Sequence, residues 1–357
     1  MSTSKQKRLA REYAEKHGLK YTDALRAISD NPTRIPLWDG EQAEGVLTYR
    51  LGSDLDVGGP YDLHLGGGSP HVLVIGQSGS GGELIWETIA AQALTKPMPW
   101  DPTLTGGIML SDPKGHNACR WEGRKGVEAI NGLGALVGME RFRLLTDGHS
   151  EAVWVADPST GEQEDALSGA QRMIAALDRA LDECQRRRDI LAMNGVSNWL
   201  DLPSPVLAEE RLAPLVVILP AFASHEESVL AGVQNRATQL ARVGRVAGIH
   251  LIVVSNMVTA AIIPHALRGS LATRVVMGRV PTIVDRIMFG EIEVEPGEDR
   301  TDGPARFTRI MNSIGTYDST PHRVQVAGVH EETLNKQLPR TNGNNARNGT
   351  NGTNHGA

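Results

Sequence analysis

Short apolar runs, bounded by glycine, proline or polar turns, recur along the chain. They are His71-Val72-Leu73-Val74-Ile75, Ile108-Met109-Leu110-Ser111, Leu215-Val216-Val217-Ile218-Leu219, His250-Leu251-Ile252-Val253-Val254 and Arg274-Val275-Val276-Met277. Runs of this length suit strands buried on both faces of a parallel sheet. Between them lie segments of helical period at 82–95, 164–194 and 226–244. Strands alternating with helices predict βαβ units and a sheet flanked by helices. Strands 71–75 and 215–219 are expected to be parallel neighbours.

The ends of the chain follow other patterns. Residues 1–32 read as a basic helical segment, with Leu9, Tyr13, Leu19 and Leu25 among its apolar positions. Its first half carries Lys5, Lys7, Arg8, Arg11, Lys16 and Lys20. These residues are candidates for non-specific contact with double-stranded DNA, or for a solvated face. Asn31-Pro32 ends the helical pattern. Residues 33–70 form a β-rich lead-in, and 71–335 a single large domain. Residues 336–357 end in a polar, low-complexity tail, for which disorder is expected.

Composition narrows the classes. Of 357 residues, 40% are hydrophobic and 22% charged, the balance of a globular protein. The longest apolar stretch, 248–263, is broken by polar residues and too short to span a bilayer. Two cysteines, Cys119 and Cys184, fit no metal-ligand spacing and no disulfide framework, so no metal site is expected and a reducing cytoplasm is. A net charge of -6 leaves any DNA contact to a local basic patch.

Candidate chemistry lies after the first apolar run. There the chain reads Gly76-Gln77-Ser78-Gly79-Ser80-Gly81-Gly82-Glu83 and continues as a helical pattern. Strand, glycine-rich loop and helix is the context in which backbone N–H groups cradle phosphates. The phosphate-loop pattern G-x-x-x-x-G-K-[ST] places its framework glycines at Gly76 and Gly81. Its lysine position is Gly82, which brings no charge to the phosphates. Its hydroxyl position is Glu83, whose charge faces them. At 4 Å, such like charges cost on the order of 4 kcal/mol at an effective dielectric near 20. Binding of ATP and magnesium is therefore expected to be weak or absent.

The order of motifs resembles the FtsK/SpoIIIE DNA translocases over roughly residues 45–330. The strand and glycine-rich loop at 71–81 are similar to that family's phosphate loop, and Asp112-Pro113-Lys114-Gly115 to its "DPKG". Leu215 to Ala223 sits where the family has its catalytic strand, and Gly244-Arg245-Val246-Ala247-Gly248-Ile249-His250-Leu251 is close to "GRAAGIHL". Thr273-Arg274-Val275 and Val324-Gln325-Val326 resemble later elements. The resemblance implies a RecA-like P-loop NTPase fold, a ring of subunits and duplex DNA as a partner.

The departures fall on the positions that carry chemistry. Where the resemblance implies a magnesium-organising Asp and a water-activating Glu, this chain has Pro220 and Ala221. The γ-phosphate-sensing Gln corresponds to Asn256. Five positions, Gly82, Glu83, Pro220, Ala221 and Asn256, thus lack the expected groups. Phosphoryl transfer rests on such positioning and electrostatics. His225, Glu226 and Glu227 lie nearby in sequence. Arg245 and Arg274 fall on elements that face a neighbouring subunit in ring-forming ATPases, so either is a candidate trans-acting arginine. The alternative is a structural arginine paired with an acid such as Asp285 or Glu87. The leading expectation is a non-hydrolysing scaffold, assembling with itself or with an intact FtsK-like ATPase in a ring. The alternatives are an active translocase with atypical residues and a DNA-binding module without nucleotide.

Overall fold

Each apolar run becomes a strand because its flanking glycines and prolines stop it after four to seven residues and its side chains have two apolar layers to fill. A computed structural model describes residues 37–131, 169–290, 308–311 and 321–340, apart from 78, 226 and 279. The basic segment with Lys5, Lys7, Arg8 and Arg11 and residues 341–357 lie outside the described residues, whereas 336–340, assigned to the tail from sequence, are described, with Leu338 buried and Arg340 bridged to Arg124.

The strands are β1 (Thr48–Asp54), β2 (Pro60–His64), β3 (Val72–Gly76), β4 (Pro97–Met98), β5 (Asp101–Thr105), β6 (Gly107–Asp112), β7 (Val127–Asn131) and β8 (Leu215–Leu219). They continue with β9 (Ile249–Ser255), β10 (Thr273–Met277), β11 (Thr308–Met311) and β12 (His322–Val326). The helices are α1 (Gly82–Thr95), α2 (His116–Trp121), α3 (Gly169–Met193), α4 (Ser204–Glu209), α5 (Glu227–Val243), α6 (His265–Ser270), α7 (Thr282–Phe289) and α8 (Glu331–Gln337).

Ten strands form one sheet in the order β2-β1-β12-β11-β10-β3-β9-β8-β6-β7. From β10 to β7 every pairing is parallel. From β10 to β2 every pairing is antiparallel, and the 33–70 lead-in supplies β1 and β2 to the same sheet. Alternate residues of the parallel strands serve opposite layers. Val72, Val74, Leu110, Ile218 and Val254 pack with Ile85, Trp86 and Ile89 of α1. Leu73, Ile75, Met109, Val217 and Val253 pack with Leu177 and Cys184 of α3 and Val233 and Leu240 of α5. The three-layer α/β fold expected from the sequence is present.

One expectation is corrected. β3 and β8 are parallel but not neighbours, because β9 lies between them. The chain leaves β3 through α1 and crosses to β6, and the two open places between are filled later by β8 and β9. A hydrophobic run specifies a buried strand but not its place in the order. Among the described residues, no helix is long and apolar enough to cross a membrane.

Candidate functional site at the phosphate loop

The loop after β3 has the shape its sequence implies. Gly81 caps α1 at φ +85, a left-handed conformation that a Cβ makes costly. The Ser80 amide donates to the Gln77 carbonyl at 2.9 Å, closing the turn. The Ser80 hydroxyl is buried without a hydrogen-bond partner. Gly82, the first residue of α1, is buried against β9, and a Cβ there would lie 3.1 Å from Val254 Cγ1. Glu83 is exposed in the first turn. Its negative charge is favourable at a helix N-terminus, where it competes with phosphate for the same positive field. Gly76 and Gly79 complete the described loop, and Ser78 lies outside the described residues.

At the end of β8, neither Pro220 nor Ala221 offers a side-chain metal ligand. Pro220 is buried, and Ala221 is held at φ +49 before a single 3₁₀ turn over Phe222–Ser224. His225 follows, buried, with its Nδ1 2.8 Å from the Phe222 carbonyl and its Nε2 without a partner. With Nδ1 as the donor, Nε2 is the unprotonated nitrogen. Burial lowers the His225 pKa, against the raising effects of the Phe222 carbonyl and of Asp112. Glu226, a further candidate, lies outside the described residues, as does the Glu227 side chain.

Asp112, at the end of β6, is fully buried and committed elsewhere. It accepts from the backbone N–H groups of Lys114 (3.0 Å), Asn117 (2.7 Å) and Ala118 (3.3 Å). These bonds close the Asp-Pro-Lys-Gly turn, start α2 and leave Lys114 exposed. Asn256 is exposed after β9, in a turn closed by the Ser255 hydroxyl and Met257.

Magnesium needs several oxygen ligands in near-octahedral array. Pro220 and Ala221 offer none from their side chains, and three backbone N–H groups already occupy the Asp112 carboxylate. The described residues therefore do not fit a magnesium site at this sheet edge. A grouping of metal-type ligands does occur among the described residues, Asp54, Asp56 and His322, but it lies on β1 and β12 in the antiparallel half. There Asp54 meets His322 at 2.9 Å and Asp56 meets Arg323 at 2.5 Å, so these side chains already have partners within the chain.

No family model matches the chain. It is 22% identical over 293 residues to the DNA translocase FtsK of Clostridium acetobutylicum, covering 81% of this chain and 32% of that one. It is 25% identical over 237 residues to the DNA translocase SftA of Bacillus subtilis, covering 65% and 20%. The chain thus spans about a third or less of the length of these relatives. Among solved structures it is similar to the pCW3 conjugation coupling protein TcpA, with a TM-score of 0.59, 15% identity and coverage of 86% and 74%. It is also similar to the type VII secretion ATPase EccC of Thermomonospora curvata, with a TM-score of 0.55, 20% identity and coverage of 84% and 31%.

The chain is similar to FtsK-type DNA translocases.

The FtsK-like segment 244–251 serves packing at the other edge of the sheet. Gly248, at φ +70, lies under the Trp199 indole, and a Cβ there would come within 2.7 Å of the ring. Arg187, on α3, donates to the carbonyls of Ala213 and Ala247 and so ties the starts of β8 and β9 together. Arg245 is exposed and donates to the Gly67 carbonyl at 3.0 Å. Arg274 is 5% exposed and donates to the Arg268 carbonyl. Neither arginine meets Asp285 or Glu87, which correct the pairing expected from sequence: they bond Arg309 and Arg120 instead. His225 and the Ser80 hydroxyl carry no motif of their own, since only the fold brings them to the sheet edge.

Proposed function

We propose that this FtsK-like chain is a non-hydrolysing member of the translocase superfamily, acting as a scaffold or partner in DNA translocation or transfer. The observation that carries this reading is the end of β8, where buried Pro220 and left-handed Ala221 stand in place of acids. A phosphate loop that keeps its backbone shape but has Gly82 and Glu83 at its charged positions supports it. Gly76 to Glu83 form a vestigial nucleotide cradle in this reading. The fold remains complete around it, so loss of catalysis leaves surfaces for assembly with itself or with an intact relative.

The test is steady-state ATP hydrolysis by the purified chain, with and without duplex DNA, alongside equilibrium nucleotide binding. The expected result is no turnover above a buffer blank, and none in Gly82→Lys, because no metal organiser or base is restored. Turnover that scales with protein and survives further purification would overturn the reading.

One observation favours a second reading, an active enzyme with atypical residues. His225 sits beside the site with a buried, unprotonated Nε2, the form in which histidine acts as a base. Turnover lost in His225→Ala but kept in His225→Gln would argue against that role, since glutamine cannot accept the proton either.

A further inference from the structure

The passage from α6 into β10 holds two guanidinium groups that meet no carboxylate among the described residues. Arg274 is 95% buried by its 5% exposure, yet its Nε has no hydrogen-bond partner. Its one bond is from Nη2 to the carbonyl of Arg268, which is itself half-buried. The Arg268 side chain meets no carboxylate: Nη2 donates to His265 Nδ1 at 2.7 Å, and Nη1 lies 3.4 Å from the Val258 carbonyl. Because His265 Nδ1 accepts, its Nε2 carries the proton and is a further donor on exposed α6. Asp285, the acid that sequence suggested for Arg274, is held by Arg309 at 2.5 Å.

A buried charge without a partner costs several kcal/mol, and a second like charge nearby adds to it. Burial, with the charge of Arg268, pushes the Arg274 pKa down to about 10, so the guanidinium remains charged at neutral pH. Proteins meet this cost with a counter-ion. Here Arg274 bonds the Arg268 carbonyl and the Arg268 side chain bonds His265, so the three side chains lie in one cluster across a strand and a short helix, and all their donors are nitrogen, the chemistry suited to a planar or tetrahedral oxyanion. Arg274 pairs with Leu73 across the sheet, three residues before Gly76, which is about 10 Å from the phosphate loop at strand spacing. The cluster is therefore separate from the loop.

We propose that Arg274, Arg268 and His265 form a binding site for a phosphate-type oxyanion, held by a single chain at the start of β10. The anion would tie α6 to β10 and neutralise both guanidinium groups.

The full chain should be melted in increasing sodium phosphate against sodium chloride of matched ionic strength, with inorganic phosphate also titrated by calorimetry. Wild type should show a saturable, phosphate-specific rise in melting midpoint of a few degrees. Arg268→Gln, at a half-exposed position, should weaken phosphate at least tenfold, the loss expected for one charge-assisted contact. Arg274→Met should abolish the response and melt no lower than wild type in chloride, because it removes an uncompensated buried charge. Gly79→Asp, which puts a negative charge in the exposed phosphate loop, should leave the response intact. No phosphate-specific rise in wild type overturns the proposal. So does a rise that survives both arginine substitutions, or one that Gly79→Asp removes. If Arg274→Met does not fold, Arg268→Gln decides alone.

Discussion

Two of the buried histidines, His71 and His250, couple the stability of this protein to pH. His71 and His250 face each other across β3 and β9, with ring centroids 6.5 Å apart. The His71 Nδ1 accepts from the Leu251 amide at 3.0 Å, and the His250 Nδ1 lies 3.0 Å from the Pro70 carbonyl. Burial, reinforced by nearby cations, pushes their pKa values down to about 3 and about 4. In the unfolded chain both titrate near 6.5. Below that pH the unfolded state takes up protons that the native state refuses, so stability falls as pH falls. The limiting slope is about 1.4 kcal/mol per pH unit for each histidine. Burial raises the Glu87 and Glu128 carboxyls, which act in the opposite sense. The histidine contribution is therefore read as a difference. Urea midpoints from pH 7.5 to 5 should fall less steeply in His250→Gln than in wild type. Equal slopes in the two proteins would refute the assignment.

At the scale of elements, charge placement decides how the last helix docks. Arg124, with a fully buried side chain, donates to the Leu338 carbonyl (2.5 Å), Asn335 Oδ1 (2.9 Å) and Glu331 Oε1 (3.0 Å). Arg120 bonds Glu331 at 3.0 Å and also Glu87 of α1. A network thus runs from α1 through α2 to α8. Arg124→Ala should cost about 2–3 kcal/mol, below the usual 3–5 for a broken buried pair because Glu331 is half exposed. Hydrogen exchange should show α8 opening before the sheet does. A variant with unchanged unfolding midpoint and unchanged protection over 331–338 would show that apolar packing of Leu334 and Leu338 alone holds the helix. Glu331, which both arginines meet, lies more than 200 residues further along the chain, so no local pattern pairs it with them.

At the scale of the molecule, the proposed scaffold makes a prediction about DNA. If residues 1–20 supply about six phosphate contacts, affinity for duplex DNA should drop on the order of a thousandfold between 50 and 200 mM salt, whatever the sequence. Deleting those residues should remove most of the binding. Binding that persists undiminished in the deletion places the contact in the folded core and favours an active translocase. Binding absent even at low salt leaves the scaffold reading with protein partners alone.

The sequence by itself determined the strands and the glycine-rich loop. Each is a local property: a run of apolar residues needs two apolar layers, and a glycine or proline acts where it stands. Family motifs in order carried the fold class as well. Strand order was beyond local reading, which is why β9 separates β3 from β8. So was the fate of each charge. Asp112 reads only as the first residue of the Asp-Pro-Lys-Gly motif until the fold turns three backbone N–H groups on it, and Arg274 reads as a candidate trans-acting or paired arginine until β10 buries it. Which side chains meet water and which meet one another depends on contacts between distant segments, and only the tertiary structure supplies those.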